Sequence, residues 1–250
     1  MTGTCHLLER SGIVVTTYHV YEDLVNAMRN STAPVEHKKI KVWFNHIVRE
    51  QSVDVHEVVV NSNTIVLSRE VDYALLQLEP GSEWSYLHSL SELGAKVRGD
   101  VPDDGFLTII GHLDGREKMV KSLIIVSKYL WRNEVLKTVQ HRSPPAEGFD
   151  KCLISCQRVV MNSDYDHKIA YAGTMLTCGA GGSPCFDESG HVIAMHTNGF
   201  FVNTLQQRVS IMEFGVPFSA IHADLKQRGY GWLANVLFPE MGQESAMDIH

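Results

Sequence analysis

A chain of 250 residues with 44% apolar and 20% charged residues has the make-up of a folded, core-forming protein, which excludes a disordered segment, a collagen or a coiled-coil rod. Its 29 acidic against 22 basic residues give a net charge of −7, arguing against non-specific binding to nucleic acid or anionic lipid. No apolar run approaches the roughly 18 residues needed to span a bilayer, and Met1–Thr4 begins no basic-then-apolar leader, so neither a membrane partner nor a secretory signal is expected.

Residues 4–8 and 12–18 read as two strands around a turn at Arg10-Ser11-Gly12, the second built on the β-branched run Ile13–Thr17. His19 ends that run, and Tyr21–Met28 has the pattern of a short helix closed by Asn30-Ser31. Strands follow at Ile40–Val48, Val55–Val60, Thr64–Leu67 and Tyr73–Leu78, the last headed by Asp72. Between Glu79 and Gly105 the pattern gives way to turn chemistry, which marks a boundary between two units. Beyond it come Leu107–Gly111 and Leu123–Val126, then a polar loop around Arg142–Pro145. Further strands are expected at Lys151–Cys156, Tyr171–Thr174, Pro184–Phe186, Val192–His196 and Arg208–Phe214. Phe218–Arg228 has helical spacing, with Ser219 as its expected cap. Many short strands in two blocks with one terminal helix predict an all-β protein of two packed antiparallel barrels, at 1–90 and 91–238, with a tail at 239–250. A single large sandwich would show the same periodicity.

Five cysteines, an odd number without zinc-site spacing, read as free thiols in a reducing compartment. No His pair lies at i and i+4 beside a helical Glu, so neither a metal nor another cofactor is expected.

Three features carry chemistry. His19 sits at the end of a strand, Asp72 opens an apolar strand, and Gly179-Ala180-Gly181-Gly182-Ser183-Pro184 is a glycine-rich turn running into a strand. Singly, each is ordinary: a structural histidine, a capping acid, a tight turn. Together, in this order, they have the chain order of a chymotrypsin-like triad: a base, an acid that orients it, and a turn whose amides hold an oxyanion. The stretch Gly179–Asp187 with Gly190–Phe200 resembles the nucleophile loop of the intracellular trypsin-like proteases called family with sequence similarity 111. Gly3-Thr4-Cys5, Thr17–Val20, Val71–Ala74, Ile109–His112, Arg208–Gly215 and Ile221–Arg228 are similar too, so the resemblance covers nearly the whole chain.

The resemblance implies a protein or peptide substrate, and a nuclear or cytoplasmic protease acting on proteins of chromatin and DNA replication, including proteins trapped on DNA. It makes His19 the general base, Asp72 the orienting acid, and the amides of Gly179 and Gly181 the oxyanion hole. The nucleophile position falls on Gly181, where the family has Ser, and a glycine cannot form an acyl-enzyme. Either a natural pseudoprotease that binds peptides or a silenced protease would carry this glycine. Ser183, Cys178 and Cys185 lie too far along a rigid turn to substitute. Ala180 stands where secreted trypsins have the Asp of their zymogen switch, so that switch is not expected.

In chymotrypsin-like enzymes the residue six before the nucleophile lies at the floor of the primary pocket, so the resemblance puts Met175 there and implies a preference for aromatic or large apolar side chains. Thr197-Asn198-Gly199 is expected to pair with substrate as an added strand. Only 18 residues precede His19, fewer than a complete first barrel needs, so a missing first strand and self-association into a homodimer through the open edge are expected. Direct nucleic-acid binding by this domain is not.

Overall fold

The computed structural model describes residues 3–8, 11–32, 34, 39–44, 56–80, 96–112, 117–142, 160–173, 176, 179–203 and 208–242. The chain is mostly β. The first unit is a five-stranded antiparallel sheet of β1 (His6–Leu7), β2 (Ile13–Thr16), β3 (Lys41–Phe44), β4 (His56–Ser68) and β5 (Tyr73–Leu78), in the spatial order β1-β2-β5-β4-β3. The second is a closed six-stranded barrel of β6 (Phe106–His112), β7 (Lys118–Val126), β8 (Ile169–Ala172), β9 (Pro184–Phe186), β10 (Val192–Asn203) and β11 (Arg208–Pro217). Among the described residues the first unit is thus an open half-barrel of five strands rather than a second closed six-stranded barrel.

β5 shows why a continuous apolar run makes this strand. Side chains alternate across a sheet. Tyr73 and Leu75 join Leu8 and Val15 on one face, while Ala74, Leu76 and Leu78 join Val14, Val42 and Val58 on the other. Both faces are covered, so no polar alternation is required. The first face packs on Phe218, Ile221 and Leu225, so the core between the units is completed by the C-terminal helix. Tyr73 Oη ties the same contact by donating to Asp224 Oδ2 at 2.7 Å. A second core fills the barrel with Leu107, Ile109, Leu123, Tyr171 and Ile193.

Among the described residues there are four α-helices: α1 (Tyr18–Asn30), α2 (Trp131–Arg142), α3 (Phe218–Gln227) and α4 (Gly231–Leu237). α1 starts earlier than its apolar spacing suggests because Thr17 caps it, its hydroxyl accepting the Val20 N–H at 3.4 Å. His19 therefore lies in the first turn of a helix. α3 begins after Pro217 with no side-chain cap, so Ser219 does not cap it. α2 is a helix that the sequence pattern did not announce: Trp131 and Val135 anchor it against Phe214 and Met212, while its other described side chains are more exposed. The expected strand Lys151–Cys156 lies outside the described residues. No helix among the described residues is long and apolar enough to cross a membrane.

Candidate active site

The two units meet at three segments: the start of α1, the turn before β5, and the glycine-rich loop before β9. Val71 and Tyr73 anchor the turn in the core and leave Asp72 between them with φ +58, a left-handed conformation that Asp tolerates better than most residues. Its carboxylate accepts the backbone N–H of His19 at 3.2 Å and lies 3.1 and 3.0 Å from His19 Nδ1. Two bonds from one carboxylate fix both the helix start and the ring. Nδ1 must carry its proton to donate to a carboxylate, which leaves Nε2 as the acceptor in the neutral ring. The imidazole remains half exposed.

Nε2 faces the glycine loop. A Cβ on Gly181 would lie 3.2 Å from His19 Nε2 and 3.3 Å from Thr17 Oγ1. A hydroxyl one bond further out would come within reach of Nε2 as its proton acceptor, given a movement of a few tenths of an ångström. With glycine at 181, the described hydrogen-bonding neighbour of Nε2 is Thr17 Oγ1 at 3.5 Å.

The loop is pinned by Thr4, from the Gly3-Thr4-Cys5 stretch. Thr4 donates its N–H to the Gly181 carbonyl at 3.3 Å and its hydroxyl to the Gly179 carbonyl at 2.8 Å. Its own carbonyl accepts from Thr16 Oγ1 at 2.8 Å. Gly182 N–H bonds the His196 carbonyl at 2.9 Å, and His6 Nδ1 lies 3.2 Å from the Gly182 carbonyl. The carbonyls thereby turn inward. Among the described residues, the amides of Gly179 and Gly181 have no acceptor, the condition an oxyanion hole needs.

The neighbouring hydroxyl and thiol are badly placed for nucleophilic work. Ser183 is fully buried with Oγ packed against Gly111. Cys185 is fully buried, and burial pushes its thiol up to about 12, away from the reactive thiolate. Met175 and Cys178 lie outside the described residues, as do Cys152 and Cys156. Beside Met175, Leu176 donates its N–H at 3.1 Å to Glu213, a carboxylate that is 1% exposed and also accepts from Ser210 Oγ at 2.7 Å. A side chain on Gly199 would overlap that carboxylate. Sequence reasoning missed Glu213: an acid within an apolar strand was the available signal. Thr197, Asn198 and Gly199 lie along β10 just after His196, with a register shift between His196 and Asn198. Among the described residues no group of three or more His, Cys, Asp or Glu side chains could hold a metal ion.

His196 is buried behind the His19–Asp72 pair. Tyr171 Oη donates to its Nδ1 at 2.6 Å. Burial lowers its pKa to about 3, with the nearby His19 and Lys168 adding to the shift and Asp72 opposing it. Burial likewise lowers His6 to about 4, opposed by its bond to Gly182. Both rings stay neutral when folded and charge near 6.5 when unfolded, so unfolding takes up protons below that pH. Their contribution is fully present above pH 6.5 and is lost as pH falls toward 4 and 3. Each histidine should cost up to about 1.4 kcal/mol per pH unit in that window. Urea midpoints measured from pH 7.5 down to 4.5 check this: His196→Asn should flatten the acid slope, and an unchanged slope would contradict the assignment.

The family described as trypsin-like peptidase domain matches residues 3–195. Serine protease FAM111A of Mus musculus is 31% identical over 173 residues, 66% of this chain and 26% of that protein. Serine protease FAM111B of Homo sapiens is 24% identical over 175 residues, 65% of this chain and 22% of that protein. The matched region thus spans about a quarter of these relatives' length. Among solved structures, the HtrA-type protease AlgW with a tripeptide superposes with a TM-score of 0.51 at 15% identity, covering 91% of this chain and 55% of that one. Deg5 superposes with a TM-score of 0.50 at 17% identity, covering 88% and 79%. These two likenesses bear on the fold. The family match runs over most of the chain, so the protein belongs to the trypsin-like peptidases, and its serine protease domain resembles that of the FAM111 proteases.

Proposed function

We propose that the cleft is an endopeptidase site that retains its base, its orienting acid and its oxyanion amides but lacks its nucleophile, so that the chain as it stands holds extended peptides without cutting them. One observation carries this reading: position 181 places a Cβ 3.2 Å from His19 Nε2, with Asp72 on the other ring nitrogen. His19 would take the proton of a nucleophile at 181, Asp72 would stabilise the imidazolium, and Gly179 and Gly181 would bind the oxyanion. Labelling a Gly181→Ser variant with a fluorophosphonate tests the site: the adduct should map to residue 181 and disappear in Gly181→Ser/His19→Ala. Labelling that survives the second change would refute it.

We take Met175, which lies outside the described residues, as the floor of the primary pocket and expect a preference for aromatic or large apolar side chains there. The second reading is a natural binding module with His19 and Asp72 as relics. Its mark would be peptide binding with no turnover on restoring the serine. From the resemblance to the FAM111 proteases we further propose that the protein works in the nucleus, or else the cytoplasm, on chromatin- or replication-associated proteins. The sheet edges β1 and β3 are the surface for a homodimer. Fractionation of cells and light scattering test these two statements; a strictly extracellular protein, or a clean monomer at high concentration, would contradict them.

A further inference from the structure

A half-buried cation lies beside residues 197 and 198 of β10. β10 pairs with β9 only through Val192–Met195. From Thr197 onward its one strand partner among the described residues is β11, which leaves the other edge open beside the cleft. Lys168, the residue before β8, sends its Nζ to this place. It donates to Asn198 Oδ1 at 2.9 Å and to Thr197 Oγ1 at 3.3 Å, and lies 5.3 Å from the centre of the Tyr165 ring. Asn198 is held in that orientation because its Nδ2 donates to Tyr165 Oη at 3.3 Å. Thr197 is fixed from behind by the Phe214 carbonyl, which accepts its hydroxyl at 3.2 Å.

Every contact of this ammonium among the described residues is a neutral oxygen or a ring face. Other described cations near acids use them: Arg132 pairs with Asp166, Arg228 with Asp224, and Lys41 with Glu57. Asp164, two residues from Asp166, instead accepts from Asn162. No described carboxylate comes within ion-pair distance of Lys168. Burial lowers the Lys168 pKa, while the more distant Asp72 and Asp164 oppose the shift. The cost of taking the charge out of water has therefore been met largely without a counter-charge. An anion arriving there would find a partly desolvated, pre-oriented partner.

We propose that Lys168, aimed by Asn198 and Tyr165, selects an Asp or Glu side chain of an extended peptide on the amino-terminal side of the bond to be cut. This rests on the reading above, in which the peptide lies along Thr197–Gly199. Side chains of an added strand alternate, so a single register position meets the ammonium.

Binding to the chain as it stands tests it without catalysis. Fluorescence polarisation is measured with labelled peptides that share one aromatic anchor and carry Glu, Gln or Lys at each upstream position in turn. One position should favour Glu over Gln by about tenfold, the size of a partly desolvated charge pair. The preference should vanish in Lys168→Met, persist in Lys168→Arg and reverse toward Lys in Lys168→Glu, with thermal melts confirming that each variant folds. Equal binding of Glu and Gln peptides at every position, or a Glu preference that survives Lys168→Met, overturns the inference alone. Failure of every peptide to bind overturns the peptide cleft and the inference with it.

Discussion

Replacing Gly181 with serine is expected to create peptidase activity. The gain should be on the order of 10⁶ in kcat over the chain as it stands, the scale on which loss of a serine nucleophile silences such an enzyme. The expectation rests on parts already in place. His19 Nδ1 is 3.0 Å from Asp72 Oδ2, the ring's Nε2 faces position 181, and the loop carbonyls are bonded to Thr4 and His6 while the amides of Gly179 and Gly181 have no acceptor among the described residues. What glycine removes is the one group that must form the acyl bond. The serine Cβ would also meet Val20 Cγ2 at 3.2 Å. That contact is with the end of a side chain, and a small rotation relieves it. A fluorogenic peptide with an aromatic residue before the scissile bond reads the gain.

The second large effect concerns Gly182. Its φ is +88, a region that costs any residue with a Cβ. A Cβ there would also run into the Thr4 carbonyl oxygen and lie 2.6 Å from Thr16 Oγ1. Those atoms are already bonded to each other and cannot move without releasing the strap on the loop. Gly182→Ala should therefore cost on the order of 4 kcal/mol, in the range of the most damaging single substitutions. Gly190 is the control. Its φ of +79 is similar but nothing described lies within 4 Å of its Cβ position. Gly190→Ala should cost only about 1 kcal/mol of backbone strain. Denaturant unfolding of the two variants separates the steric cost from the backbone cost, and equal losses would refute the role given to the Thr4 contact.

Local pattern carried much of the fold, and tertiary contact decided the rest. Tyr73–Leu78 is visibly a strand because an apolar run of that length suits a sheet buried on both faces. The strands expected at 55–60 and 64–67 are, over the described residues, one strand, β4 (His56–Ser68), because an irregularity in its pairing between Val60 and Ile65 absorbs the polar residues that looked like a break. α2 stayed hidden because its burial rests chiefly on Trp131 and Val135, too few positions to set up a helical period. The start of α1 is set by the Thr17 hydroxyl and the distant Asp72 carboxylate, and the β-branched run before it reads as strand. The same holds at the cleft. His19, Asp72 and the glycine turn were legible from residue type and order. Thr4, Lys168 and Glu213 were not. Each acts on a loop or strand far away in sequence, and only Glu213, an acid within an apolar strand, carries a local mark.

The central claim is that position 181 is the empty nucleophile position of a working base and acid. Cleavage of one aromatic-site fluorogenic peptide by three proteins tests it most directly: the chain as it stands, Gly181→Ser, and Gly181→Ser/His19→Ala. The account predicts turnover by Gly181→Ser alone, with the other two slower by several orders of magnitude. Cleavage by the chain as it stands that is lost with His19→Ala would show that the nucleophile lies elsewhere. Equal rates for Gly181→Ser with and without His19 would show that this histidine is not the base.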